Sequence, residues 1–123
     1  LQSASTFDTT NENFYHGTVF GMLAILSDRY YISSNRESGE GRFDIQLEPK
    51  DKSQLGYIIE FKAGKNLSDT ELADSASSAI QQIQSKKYST DIEYHGIKKI
   101  GLFGIAFSGK RVAAKYEEIQ LHS

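Results

Sequence analysis

Apolar residues recur along the chain with a spacing that changes from helical to extended and back again. Helical spacing predicts a first helix from Asn11 to Arg29, where Thr9 and Glu12 have the spacing of a capping box. A short strand from Tyr30 to Ser34 is expected next. Two further strands follow, of which the first alternates apolar with polar residues and the second is rich in β-branched and aromatic residues. The two are expected to form a hairpin. These strands span residues 42–48 and 56–62.

The second half of the chain begins with another capping box, formed by Ser68 and Glu71. It opens a helix that ends near Lys87. Residues 101–107 are almost continuously apolar, which is typical of a strand buried on both faces, and residues 112–119 return as a last strand. The order helix, three strands, helix, two strands predicts an α/β fold with a central mixed sheet flanked by helices. We expect a single domain over residues 9–120, preceded by a linker or extension over residues 1–8.

Composition narrows the classes of protein that fit this pattern. The 123 residues include no cysteine, which excludes disulfides and thiolate metal sites. Absence of cysteine is compatible with a reducing cytoplasm, the compartment we expect. No apolar run reaches the roughly 18–20 residues that span a bilayer, so no membrane partner is expected. Because the sequence begins at Leu1, we expect it to be a piece of a longer protein.

Charge is unevenly distributed along the chain. The net charge of −2 argues against a general nucleic-acid coat protein. Residues 84–116, however, contain seven basic residues and only two acids. Two interpretations stay open: a solvated basic surface, or a phosphate-facing rim around an acidic, metal-binding centre.

The predicted hairpin carries the most suggestive chemistry. Strand side chains alternate faces, so Glu60 and Lys62 project from the same face. If the turn is centred near Lys52, Asp44 lies opposite Glu60 and Arg42 opposite Lys62, and like charges in such pairs are destabilising. A divalent cation between the two acids would remove their repulsion, and oxygen ligands suit Mg²⁺ or Mn²⁺. A slip of one residue would separate the acids, leaving ordinary outward-facing charges.

Three other residues have two interpretations each. Gln82 lies one helical turn from Lys86 and borders the apolar stripe, so it either orients a catalytic water or phosphate oxygen, or is a boundary residue. Tyr88 either stacks near the site or packs at the helix end. Glu12 either caps the first helix, which accounts for it fully, or also reaches the metal.

Taken together, these motifs resemble the PD-(D/E)XK nuclease superfamily, specifically the domain at the C-terminus of AAA-ATPase-like bacterial proteins. The resemblance extends from about Glu12 to Val112. Phe43 stands before Asp44 where the superfamily's name has a proline. The resemblance rests on the runs at residues 12–17, 35–44, 58–62, 79–83 and 86–88.

The resemblance implies a restriction-endonuclease-like core and a Mg²⁺-dependent phosphodiesterase. By similarity, Asp44 and Glu60 correspond to the metal-binding acids and Lys62 to the motif lysine. Glu12 matches the acid of the first helix, and Gln82 the glutamine of the second. Products with a 5′-phosphate and a 3′-hydroxyl are implied.

We therefore expect a nuclease that cleaves nucleic acid, with DNA favoured, using a metal-activated water. Lys62 would stabilise developing negative charge, while Arg42, Lys86 and Lys87 would follow the nucleic-acid backbone. The alternative is a catalytically inactive module on the same fold that binds nucleic acid or docks a protein. An ATPase domain in the full-length protein is a further expected partner. A homodimer is one option, since nucleases that cut both strands often pair.

Overall fold

The computed structural model describes residues 17, 19–21, 23–37, 42–86 and 96–121, apart from the side chains of residues 35–37, 42 and 86. Within these ranges the chain forms five strands and one long helix, in the predicted order. The elements are β1 (Tyr30–Glu37), β2 (Arg42–Pro49), β3 (Gly56–Ala63), α1 (Asp69–Lys86), β4 (Lys99–Ser108) and β5 (Arg111–Gln120).

The five strands lie in one sheet in the order β1-β2-β3-β4-β5. All neighbours are antiparallel except β3 and β4, which are parallel. Parallel neighbours need a long crossover connection, and α1 is part of the one that joins them. The predicted α/β fold with a mixed sheet is therefore confirmed.

The β2–β3 turn has side-chain bonds that hold its shape. Asp51 Oδ1 accepts hydrogen bonds from the Ser53 backbone N–H at 3.0 Å and from Ser53 Oγ at 2.7 Å. These bonds lower the pKa of the Asp51 carboxyl, with the side-chain bond contributing most. Such a local turn fixes hairpin register, which decides which residues of β2 and β3 face each other.

The two faces of the sheet have different coverings. On the face that we call the apolar face, Phe43, Ile45 and Phe61 form a buried cluster that Leu23 also joins. The Phe43 and Phe61 rings stack with centroids 4.4 Å apart. The opposite face, which we call the α1 face, is covered by α1. Its buried apolar cluster consists of Ile58, Ile80, Ile83, Ile97, Ile100 and Leu102.

Helix α1 begins with the capping box that the sequence predicts. The Ser68 backbone N–H donates to Glu71 Oε1 at 2.8 Å, and the Glu71 N–H donates to Ser68 Oγ at 3.1 Å. The helix ends at Lys86, close to the predicted end. Most of β4 is buried, as its apolar run indicated. Among the described residues, no helix has both the length and the hydropathy needed to cross a bilayer.

Two predicted boundaries near the start of the chain are wrong. The described part of the first helix is helical only as far as Ala24, and residues 25–29 form turns instead of continuing to Arg29. Ser27 Oγ donates to the Ala24 carbonyl at 2.8 Å, a local bond that competes with the helical pattern. Strand β1 continues past Ser34 to Glu37, because it pairs with β2 along its whole length. The Thr9–Glu12 box lies outside the described residues.

Candidate active site

The β2–β3 register places the two hairpin acids directly opposite each other. Asp44 pairs with Glu60 and Arg42 with Lys62, so the register predicted from the sequence is confirmed. Directly opposite residues on antiparallel strands have Cβ atoms about 4.5–5.5 Å apart. A small ion can therefore reach both carboxylates without any movement of the backbone.

Both acids are deeply buried: Asp44 is 1% exposed and Glu60 is 0% exposed. Burial of a carboxylate in an apolar environment costs several kcal/mol unless other groups compensate for the charge. Two carboxylates on the same face of neighbouring strands add repulsion to that cost. The hairpin therefore concentrates negative charge where a fold selected for stability alone would carry apolar residues.

The pair also suits a hard divalent cation chemically. Its four carboxylate oxygens are the ligand type that Mg²⁺ and Mn²⁺ prefer. Within the described ranges, no group of three or more acids or histidines lies close enough to hold a metal ion. The described protein ligands are thus two, and sites for Mg²⁺ typically fill the remaining positions with water and substrate oxygens.

Lys62 lies on the same strand and the same face as Glu60, two residues further along. Its side chain is half-buried and donates from Nζ to Ser78 Oγ of α1 at 3.2 Å. This bond directs the ammonium group along the α1 face beside the two acids. The structure therefore brings Asp44, Glu60 and Lys62 together.

Gln82 lies one turn after Ser78, on the same side of α1. The α1 residues near Leu72 and Ala76 pack on Ala106, while those near Ile83 pack on Ile58, so α1 runs opposite to β3. One helical turn and two strand residues span similar lengths, about 5.4 and 6.6 Å. The turn from Ser78 to Gln82 therefore advances along β3 from Lys62 towards Glu60.

The amide oxygen of Gln82 is buried and has no hydrogen-bond partner among the residues that the structure describes. A buried carbonyl oxygen without a donor costs about 1–3 kcal/mol, which makes such groups rare in native structures. The predicted alternative of a simple solvated boundary amide does not fit this burial. Gln82 instead presents an acceptor to a group outside the described residues.

Gly104 allows α1 to approach this region closely. It is the β4 residue paired with Glu60 in the parallel register. A Cβ built at Gly104 would collide with the Ala76 carbonyl oxygen and lie 3.1 Å from the Ala79 Cβ. Only glycine lets the helix lie this near to the sheet, and that proximity carries Ser78 and Gln82 towards the hairpin.

Some predicted site residues cannot be placed. Glu12, Lys87 and Tyr88 lie outside the described residues, as do the side chains of Arg42 and Lys86. For Arg42 the backbone register opposite Lys62 is nevertheless established.

Two residues that help to shape the site were missed by the sequence analysis. Ser78 precedes Gln82 by one helical turn, so the shared face of the helix was a usable signal. Gly104 appeared only as part of an apolar run. Its importance depends on the parallel register of β3 and β4, which no local pattern specifies.

Two basic residues of the stretch at residues 84–116 form ion pairs at the surface. Arg111 contacts Asp69 and donates to the Leu67 carbonyl, where it ties β5 to the start of α1. Lys99 Nζ lies 3.7 Å from Glu118 Oε1. These two basic residues therefore fit the interpretation as a solvated, ion-paired surface.

Comparison with known proteins gives one match. A family model described as the PD-(D/E)XK nuclease superfamily matches residues 10–117, which is most of the chain. The mixed five-stranded sheet with α1 is consistent with the restriction-endonuclease-like fold of that superfamily, as the sequence predicted. No curated protein and no solved structure matches the chain.

Proposed function

The chain belongs to the PD-(D/E)XK nuclease superfamily, and from this premise we propose that it is a metal-dependent nuclease that hydrolyses the phosphodiester bonds of DNA. One observation carries the proposal: two buried carboxylates, Asp44 and Glu60, face each other across adjacent strands with Lys62 beside them. A superfamily of nucleases and an acid pair of this kind point to the same chemistry.

Asp44 and Glu60 are the residues that would hold the metal, Mg²⁺ or Mn²⁺. When bound, such an ion lowers the pKa of a coordinated water and polarises the scissile phosphate. Both carboxylates are buried on neighbouring strands, so they would hold the ion at a defined position. Glu12 stays a sequence-based candidate for a third acid.

Lys62 supplies the positive charge that the reaction needs on the protein side. Its ammonium group stabilises the negative charge that develops on the phosphate oxygens in the transition state. Ser78 Oγ accepts a hydrogen bond from Nζ, which orients the ammonium group on the α1 face. The lysine is thus positioned before the substrate arrives.

Gln82 positions the attacking water. Its Oε1 can only accept a hydrogen bond, so it receives one O–H of the water and turns an oxygen lone pair towards the phosphorus. Occupying this oxygen also satisfies the buried acceptor that the protein leaves open within its described residues.

Substrate contacts rest on the sequence. Arg42, Lys86 and Lys87 are the proposed contacts to the nucleic-acid backbone, and Tyr88 is the proposed stacking residue. The cytoplasm is the proposed compartment, and an ATPase region in the full-length protein is a proposed partner.

A cleavage assay on a panel of labelled substrates tests the proposal. Single-stranded DNA, duplex DNA, plasmid and RNA are each incubated with Mg²⁺, Mn²⁺ or EDTA. We expect cleavage of DNA with either metal, none with EDTA, and products with a 5′-phosphate. Binding of DNA without metal and without cleavage, unaffected by Asp44→Ala, would establish the inactive binding module instead.

Variants separate the site from the rest of the hairpin. Glu60→Gln and Lys62→Ala are each expected to reduce the cleavage rate by about a hundredfold or more, while circular dichroism stays unchanged. Glu48→Gln is the matched control, because it makes the same change from acid to amide on β2, on the same face as Asp44. Cleavage that survives Glu60→Gln would refute the assigned site.

A further inference from the structure

Strand β5 is an edge strand with an open side. It pairs with β4 along one edge, and no other described strand pairs with it. None of its ten residues is buried, eight of them are exposed, and its sequence contains neither proline nor glycine. A long edge without such interruptions presents backbone donors and acceptors that another strand can pair with.

The charges of β5 are arranged in two halves. Arg111 and Lys115 lie in its first half and Glu117 and Glu118 in its second. Parallel pairing with an identical strand would set like charges side by side. Antiparallel pairing sets the basic half of one strand beside the acidic half of the other, which is the self-complementarity that a two-fold interface requires.

From this arrangement we propose that β5 pairs antiparallel with β5 of a second copy of the chain, giving a homodimer with one continuous ten-stranded sheet. The two-fold axis passes through Tyr116, so that Tyr116 faces its own counterpart. Lys115 then lies opposite Glu117 of the second copy, and this ion pair occurs twice. Ala113 lies opposite Ile119 of the second copy, where both are half-buried apolar residues.

Other registers are less favourable. A two-fold axis at Lys115, Glu117 or Glu118 would place that charge directly against its own copy. An axis at Ala114 would pair Arg111 with Glu117 of the second copy. Arg111 is already engaged by Asp69 and the Leu67 carbonyl, and those contacts join β5 to α1. The register centred on Tyr116 leaves them intact.

The apolar face supports the same register. A row of aromatic rings crosses β3, β4 and β5, with centroids of Tyr57 and Phe103 6.1 Å apart and those of Phe103 and Tyr116 4.5 Å apart. Gly101 makes room for this row, since a Cβ there would lie 2.6 Å from the Tyr116 hydroxyl. The row ends at Tyr116, which is 45% exposed at the sheet edge. Pairing continues it into Tyr116 of the second copy and covers an exposed aromatic ring.

Charge reversal tests the proposed register. Sedimentation equilibrium of the chain is expected to show a dimer, and Lys115→Glu and Glu117→Lys are each expected to weaken it at least about tenfold. The double variant Lys115→Glu/Glu117→Lys restores the opposite-charge pairs and is expected to restore the dimer. Lys50→Glu is the matched control, because it makes the same charge change at an exposed site distant in sequence from β5. A monomeric wild-type chain, or a double variant no better than the single ones, would overturn the proposal.

The absence of cysteine allows a second, independent test. Tyr116→Cys places one thiol on the two-fold axis, where directly opposite Cα atoms lie about 4.5–5.5 Å apart and a disulfide can form. We expect this variant to form a covalent dimer on oxidation. Val112→Cys, at a residue that is also exposed on the same strand, lies opposite Gln120 of the second copy and is expected to stay unlinked. Equal cross-linking of the two variants would show that the register is wrong.

Discussion

The two faces of the β2–β3 hairpin are built from the same two strands but carry opposite chemistry. On the apolar face, Phe43 and Phe61 stack in a cluster of buried apolar side chains. On the α1 face, the neighbouring positions hold Asp44 and Glu60, which are buried just as completely. Burial alone therefore does not distinguish the two faces, whereas the cost of that burial does.

The difference separates the part of the hairpin that stabilises the fold from the part that carries the proposed reaction. Burying a large apolar side chain contributes about 1.5–3 kcal/mol to stability. Burying two facing carboxylates adds no such contribution and brings like charges together. Substitutions on the two faces should therefore affect different measurements.

The largest effect is expected on the apolar face. Phe61→Ala removes one ring of the stacked pair and leaves a cavity, so the free energy of unfolding should fall by about 3–5 kcal/mol. Urea denaturation measures this loss. A fall below 1 kcal/mol would mean that the apolar face is not the main source of stability in the hairpin. Phe61→Leu, which keeps most of the volume, is the control and should lose much less.

The next effect concerns the α1 face and its metal. Asp44→Asn keeps the shape of the side chain but removes one of the two facing charges that would hold the metal. The two proteins should differ when Mg²⁺ is added. A ligand at a hundred times its Kd stabilises the folded state by about 2.7 kcal/mol, and the variant should lose this gain.

Thermal unfolding with and without Mg²⁺ makes that comparison without any cleavage assay. Glu48→Gln should respond to the metal as the wild type does. Equal stabilisation of wild type and Asp44→Asn by Mg²⁺ would place the ion elsewhere.

A smaller effect is expected where α1 meets the sheet. Gly104→Ala places a Cβ against the Ala76 carbonyl, so the helix must move away at a cost of about 1–3 kcal/mol. Because the helix carries Ser78 and Gln82, cleavage should fall more than stability alone explains. The cleavage rate per folded molecule, calculated with the folded fraction from denaturation, distinguishes a direct loss of activity from a loss of stability. An unchanged cleavage rate would show that the position of α1 does not affect the reaction.

The hairpin shows how much of this molecule local patterns can predict. Alternation in β2 and the turn residues after Pro49 were sufficient to predict the Asp44–Glu60 register, because hairpin register depends on nearby residues. The capping box of α1 is equally local, and it too was found. Where the determining contacts lie close in sequence, the prediction was confirmed.

Features that depend on distant parts of the chain were not predicted. The importance of Gly104 comes from parallel pairing across the crossover that contains α1, and the contact of Lys62 with Ser78 joins residues from different elements. The end of the first helix was also misplaced, because apolar spacing continued to Leu26 while Ser27 bonded back to Ala24. In that case a single polar side chain outweighed the periodicity.

The smallest expected effect lies at the start of α1, where the helix that covers the acidic face is held by its cap. Hydrogen bonds from Ser68, the backbone N–H first, lower the pKa of Glu71 below its ordinary value of 4.5. The folded state therefore favours the carboxylate. Its stabilising contribution is complete above pH 4.5 and is lost as the pH falls through the folded pKa. Glu71→Gln should be less stable than the wild type at pH 7, and the difference should narrow below pH 4.5.

Urea denaturation of both proteins across this pH range checks the prediction, with the neighbouring exposed acid Asp74→Asn as the control. Ser68→Ala should cost about 1 kcal/mol at pH 7, since it removes the hydroxyl that accepts from the Glu71 N–H. A gap between Glu71→Gln and wild type that is the same at pH 7 and pH 3 would show that the glutamate acts through packing instead of charge. The cap would then stabilise α1 by packing, as the apolar face stabilises the hairpin. A stabilising or destabilising role of charge would in that case be limited to Asp44 and Glu60.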